Sequence, residues 1–252
     1  MTTCGTVFSN HITSTMTQLF TTLVAQQAPL PTRLIKCVLG MAFVFVSMAS
    51  QAQQNGSAGL NSLENFVKNT KSGRAAFTQV VTSPAKEGQV AKTKTSSGTF
   101  EFLRPNRFKF VYKKPFEQSI VSDGQTLWLY DVDLNQVTAR KLAQVLNGTP
   151  AAVIAAAADL KGLEADFILT ALPDKVGLQW VQATPKTKDG QLQNISVGFK
   201  ATDKGSELAA LEILDSFGQR SLMSFSQFEV NPSLGATLFQ FKPPAGSDVS
   251  RQ

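Results

Sequence analysis

The stretch Gly98–Tyr130, GTFEFLRPNRFKFVYKKPFEQSIVSDGQTLWLY, decides how this chain folds. Apolar and polar residues alternate along it in short runs broken by RPN and SDG. That is the period of strands half-buried in an antiparallel sheet. SDG suits a hairpin turn, because Asp-Gly supplies the positive φ the turn needs. Phe100 and Phe102 share one face of the first run, and Arg104 ends the same face. Taken by itself, a permanent charge at that position reads as a solvated strand-end residue before the Pro turn.

Working outward, LNSLENFVKN (Leu60–Asn69) places Leu60, Leu63, Phe66 and Val67 at helical spacing and predicts an amphipathic helix. RAAFTQVVT (Arg74–Thr82) reads as a strand, and NQVTARKL follows QSIVS and TLWLYD as another. The Ala-rich NGTPAAVIAAAADLKGL (Asn147–Leu163) predicts a second helical piece, with Thr149 as N-cap, Pro150 in the first turn and an end near Gly162. Strands resume at ADFILTAL, GLQWVQAT, LQNISVGFK, LAALEILD, RSLMSFSQFEV and LFQFKPP. The expected fold is mainly β, with roughly eleven or twelve antiparallel strands and two helical pieces: a large curved sheet or partial barrel, of a size able to enclose a cavity, with the helices over its open side. The chain has 18 Phe against 2 Trp and 2 Tyr. The Phe at strand positions suit either an ordinary aromatic core or a greasy pocket.

The N-terminal residues read as a leader. Arg33 and Lys36 form a basic region, CVLGMAFVFVSM (Cys37–Met48) an apolar core, and SQA ending at Ala52 a small-residue cleavage site. The expected organisation is a signal peptide within 1–52, preceded by an N-terminal extension with the true start near Leu30, and a single domain over 53–252. Both cysteines (Cys4, Cys37) and the one histidine (His11) lie in the leader. Removing Arg33 and Lys36 from the formal +6 leaves a modest +4. A mature chain without Cys or His excludes disulfides, thiolate nucleophiles, Cys/His zinc sites and His-based triads. Cys37 opens the apolar core instead of following it, so it is not a lipid-attachment cysteine.

Asp131 and Asp133 are a carboxylate pair of common spacing, best read as solvated turn residues, so no enzyme and no cofactor are expected. The basic run RPNRFKFVYKKP interleaves aromatics with Arg107, Lys109, Lys113 and Lys114, but these do not share one face. Nucleic acid is therefore not expected as a partner. Edge lysines that deter sheet-to-sheet association explain part of the run, and anionic lipid or an acidic protein stays open for the rest.

FTQVV (Phe77–Val81), the GxFxFxRPNRFKF run ending at Phe110, IVSDGQTLWLYDVDLNQVT (Ile120–Thr138) and FQFKPPAGSDV (Phe239–Val249) together resemble the LolA family, periplasmic carriers of outer-membrane lipoproteins. The match runs in order over nearly the whole of 53–252. The resemblance implies an incomplete, open antiparallel β-barrel with a helical lid over an apolar cavity. It places the family's key arginine on Arg104, as a latch that bonds to backbone groups of the lid helices. It implies a lipid-binding cavity, assigned to Phe100, Phe102, Phe108, Phe110, Trp128, Val197 and Phe199, and a lid, assigned to Leu60, Leu63, Phe66, Val153 and Ile154. It implies a periplasmic, monomeric chaperone whose partners are acylated lipoproteins, an inner-membrane ABC transporter complex and an outer-membrane lipoprotein receptor. The alternative is a periplasmic lipid- or lipoprotein-sensing regulatory module of the same fold.

Overall fold

The computed structural model describes residues 57–85, 88–145, 154–155, 159–187 and 190–252, all within the unit Gln51–Gln252. The leader, Thr149, Pro150 and Val153 lie outside the described residues. Helix α1 spans 57–69. Six strands follow: β1 (Ser72–Thr82), β2 (Thr93–Leu103), β3 (Arg107–Lys114), β4 (Gln118–Asp123), β5 (Thr126–Asp131) and β6 (Gln136–Lys141). After the short helices α2 (Leu142–Val145) and α3 (Leu160–Asp166) come β7 (Phe167–Lys175), β8 (Leu178–Pro185), β9 (Leu192–Thr202), β10 (Gly205–Asp215) and β11 (Arg220–Val230). A 3-10 turn (Ala236–Phe239) and β12 (Asp248–Arg251) end the chain.

The strands form one unclosed 12-stranded sheet, in the order β12-β6-β5-β4-β3-β2-β1-β11-β10-β9-β8-β7. Every ladder is antiparallel except β12 against β6. Consecutive strands are joined by turns short enough for antiparallel neighbours, and β1 closes on β11 to connect the two runs. At SDG, Gly124 takes φ 102°, and Asp123 Oδ1 accepts from the backbone N–H groups of Gln125 and Thr126 at 2.8 Å each. The turn therefore satisfies its own donors.

Two expectations about elements need correction. LFQFKPP is not a strand. Its Phe239 is fully buried in the 3-10 turn, which packs against β3 and β4, and the added strand is instead Asp248–Arg251. The helical piece expected to end near Gly162 does not end there: residues 154–155 are helical, and a separate helix, α3, capped by Asp159 accepting from Gly162 N–H at 2.8 Å, runs to Asp166. An Asx cap so close to the end of the Ala-rich run outweighed glycine's usual role as a stop.

The inner face of the sheet carries the core. Phe77, Phe100, Phe102, Phe108, Ile195 and Phe199 are buried there, and Leu63, Phe66 and Val67 of α1 are buried against them. Ring pairs link the two: Phe66 lies 5.9 Å from Phe102 and 5.4 Å from Phe199. Tilted aromatic pairs of this kind add roughly 0.5–1.5 kcal/mol each beyond the area they bury.

Candidate functional site: an apolar cavity beside a tethered helix

The amphipathic pattern of 57–69 gives α1 an apolar stripe and a polar remainder, and the polar remainder does the tethering. Ser62 Oγ donates to Gln179 Oε1, and Asn65 Oδ1 accepts from Ser206 N–H at 3.2 Å. At the C-terminal end, Asn231 Nδ2 donates to the Asn69 carbonyl at 2.9 Å and Arg104 Nε donates to the Thr70 carbonyl at 2.9 Å. The Arg104 backbone N–H donates to the Lys71 carbonyl at 2.8 Å. Carbonyls at a helix C-terminus lack partners within the helix and carry the negative end of its dipole, so a cation and an amide are suitable caps. The guanidinium lies 5.3 Å from the Phe66 ring and 5.5 Å from the Phe102 ring. Burial pushes its pKa from the ordinary range down to about 10, so it stays charged at neutral pH while carrying a desolvation penalty.

Beside the helix-covered core is a cavity of about 320 Å³, lined by Phe108, Phe110, Ile120, Leu127, Leu129 and Met223 among others. That is near the lower end of the range for small-molecule pockets.

The structure divides the sequence-derived cavity residues into three groups. Phe108 and Phe110 line the cavity. Phe100, Phe102, Val197 and Phe199 do not: they are at most 1% exposed and belong to the core that α1 covers. Trp128 is a correction. Leu127 and Leu129 face inward, so strand alternation turns Trp128 to the opposite face, paired with Val121 and Ala139. There it packs 5.5 Å from the Phe241 ring, and its Nε1 donates to Asp123 Oδ2 at 3.3 Å. Among the lid residues, Leu63 and Phe66 are buried and Leu60 is half-buried. Ile154 is also buried, and its neighbour Ala155 accepts from Asn106 N–H, next to the Arg104 turn. Asp131 ends β5, where its Oδ1 accepts from Leu134 N–H of the following turn at 3.1 Å, and Asp133 in that turn is exposed.

Asn231 was missed. The Asn-Pro pair at 231–232 signals only a turn, and a bond from there to residue 69 cannot be read from spacing.

The model of the family described as outer membrane lipoprotein carrier protein LolA matches residues 68–242. The chain belongs to the LolA family. A LolA relative, the outer-membrane lipoprotein carrier protein of Albidiferax ferrireducens, is 69% identical over 210 residues, which are 83% of this chain and 99% of that protein. The protein of the same name from Methylibium petroleiphilum is 57% identical over 77% of this chain and 89% of its own length. A solved LolA-superfamily structure, NE2245 of Nitrosomonas europaea, aligns with a TM-score of 0.43 at 12% identity over 72% of this chain and 96% of that one. That likeness is too distant to inform the site.

Proposed function

We propose that this chain is a periplasmic carrier. It takes the acyl chains of lipoproteins released from the inner membrane into its cavity and hands them to an outer-membrane receptor. The observation that supports this reading is a LolA-family sheet with an apolar cavity on its inner face, next to a core covered by a helix that Arg104 tethers at its C-terminal end. Burying acyl chains is favourable by about 0.8 kcal/mol per CH₂, so three chains on one protein cannot stay in water unshielded. A carrier must also release them, which favours a cover that lifts over a permanently enclosed cavity. Arg104 is the latch: lifting α1 breaks its bond to the Thr70 carbonyl and returns a desolvated guanidinium to water. Phe66 and Leu63 then leave Phe102 and Phe199 free to contact lipid. The carrier acts by binding, without catalysis or a cofactor, as a monomer served by an inner-membrane ABC transporter complex.

The test uses spheroplasts making labelled lipoproteins, to which the purified chain or its Arg104→Leu variant is added. Release of label by the native chain, followed by transfer to outer membranes, is the expected result. Arg104→Leu should take up label and transfer it poorly, because nothing re-forms the closed latch to expel the chains. A native chain that binds an apolar dye yet releases no label would overturn the carrier reading in favour of a lipid-sensing module.

A further inference from the structure

A second cavity, of about 560 Å³, lies at the end of the sheet opposite Arg104. It meets the apolar cavity at Gln79 and Tyr112, which line both. Adjacent strands change character in the same direction along this path. On β3 the inward positions run Phe108, Phe110, Tyr112. On β4 they run from Ile120 to Gln118, on β5 from Leu127 and Leu129 to Asp131, and on β2 from Phe102 and Phe100 to Ser96 and Lys94. Register keeps these changes level with one another: Tyr112 pairs with Gln118, and Gln118 with Asp131. Four neighbouring strands thus form one polarity step across the inner face. A core has no need of such a step, whereas an amphiphile has one of its own.

The groups at the step are polar, with Gln79, Tyr112, Ser96 and Gln118 neutral and Lys94, Asp131 and Asp133 adding charge of both signs. Gln79 Nε2 is engaged, donating to Ser221 Oγ at 2.7 Å, which orients the amide and leaves its carbonyl oxygen as the acceptor it offers. The Tyr112 hydroxyl stays protonated through the physiological range, because burial pushes it up to about 12, so it is a donor. Its ring is fixed edge-on to Phe77 at 5.0 Å. Beyond them, Ser96 and Gln118 add donors and acceptors, and Lys94 lies 5.1 Å over the Phe116 ring at the rim, where Phe116 is 59% exposed.

We propose that this end chamber receives the polar head of the cargo: the ester and amide groups joining acyl chains to a polypeptide, and the first residues that follow. The cargo is then held in one direction, with acyl ends toward Arg104 and polypeptide leaving past Phe116. The inference rests on the carrier reading and adds an orientation and a head-group site to it. A single-chain fatty acid brings one carboxyl group in place of those ester and amide groups and has no polypeptide, so losses at Gln79, Tyr112, Ser96 and Gln118 should fall harder on an acylated peptide than on a fatty acid.

The experiment measures binding of two probes to the full chain: a synthetic lipopeptide with three palmitoyl chains on an N-terminal cysteine, and palmitic acid. Ser96→Val combined with Gln118→Leu should weaken the lipopeptide about tenfold, as expected for two lost hydrogen bonds, and leave palmitic acid within about twofold. Unchanged palmitic acid binding also shows that the variant is folded. Equal losses for both probes, or no loss for either, would overturn the inference. Cross-linking gives an independent check. A diazirine at the acyl terminus should label Phe100, Phe102 or Phe108, and one on the second peptide residue should label Ser96, Gln118 or Phe116. The reverse pattern overturns the orientation while leaving the carrier intact. A native chain that binds palmitic acid and not the lipopeptide overturns both readings.

Discussion

Replacing Arg104 with methionine should change the stability of the fold very little, although Arg104 is largely buried and bonded to a helix end. Two effects oppose each other. Burial holds the guanidinium pKa near 10, more than two decades below its ordinary value, which corresponds to about 3 kcal/mol against the buried charge. The bond from Nε to the Thr70 carbonyl returns roughly 1.5–3 kcal/mol, as hydrogen bonds to charged groups do, and stacking on Phe66 and Phe102 adds about 0.5–2 kcal/mol. The sum lies within about 2 kcal/mol of zero. Methionine keeps a slender apolar stem against the two rings, loses the bond and removes the desolvated charge. The expected change in unfolding free energy is therefore at most about 1–2 kcal/mol, against about 3–5 kcal/mol for Phe66→Ala in the same lid. Urea unfolding followed by circular dichroism measures both variants. If Arg104→Met lost as much as Phe66→Ala, the guanidinium and not the apolar stripe would be holding α1 down, and the reasoning would fail. On the proposed carrier reading, α1 is then a lid held mainly by burial, and Arg104 a polar latch close to energetic balance that a ligand can tip.

Three further outcomes are expected. Gly59→Val should prevent α1 from docking, because a Cβ at Gly59 would sit 1.9 Å from the Trp180 carbonyl oxygen; apolar dye uptake should rise and amide exchange across 57–69 should quicken. Tyr112→Phe should flatten the alkaline stability profile. A phenol whose pKa is raised in the folded state contributes stability that is complete below about pH 10 and is lost as pH climbs toward about 12, so the urea midpoint of the native chain should fall across that window relative to the variant. The comparison must be native against variant, because Arg104, with its lowered pKa, pulls the other way over the same range. Trp128→Ala should cost about 3–5 kcal/mol of stability through lost packing, and leave the affinity for palmitic acid unchanged because the indole lies on the outer face. A large loss of affinity with intact stability would place Trp128 in the cavity after all.

Strand alternation carried most of the fold. The period of two in Gly98–Tyr130, broken by RPN and SDG, dictates hairpins whatever the rest of the chain does, because only antiparallel neighbours can be joined by such short turns. The 3.6-residue spacing of Leu60, Leu63 and Phe66 likewise specifies a helix with one buried face. Alternation also contained the answer about Trp128: if Leu127 and Leu129 face the cavity, Trp128 cannot. The aromatic side chain drew the assignment and the period excluded it. The inward step from Phe110 to Tyr112 and from Ile120 to Gln118 was equally visible, but only once the strands had been set side by side.

What the sequence determined by itself is what depends on near neighbours: strand and helix periods, turn chemistry, the absence of Cys and His beyond residue 37, and the family motif around Arg104. Only the tertiary structure decided which face meets which partner. The Arg104–Thr70 bond spans 34 residues, and the Asn231–Asn69 bond spans 162. No local pattern encodes such contacts. They form because β1 pairs with β11 and β2 in one register, which brings the ends of distant segments beneath the same helix terminus. The division of the inner face into a filled core and an open cavity was decided there too. Phe100 and Phe108 are alike as strand residues and both are buried, yet only Phe108 lines the cavity, while Phe100 packs among Phe102, Phe110 and Phe225.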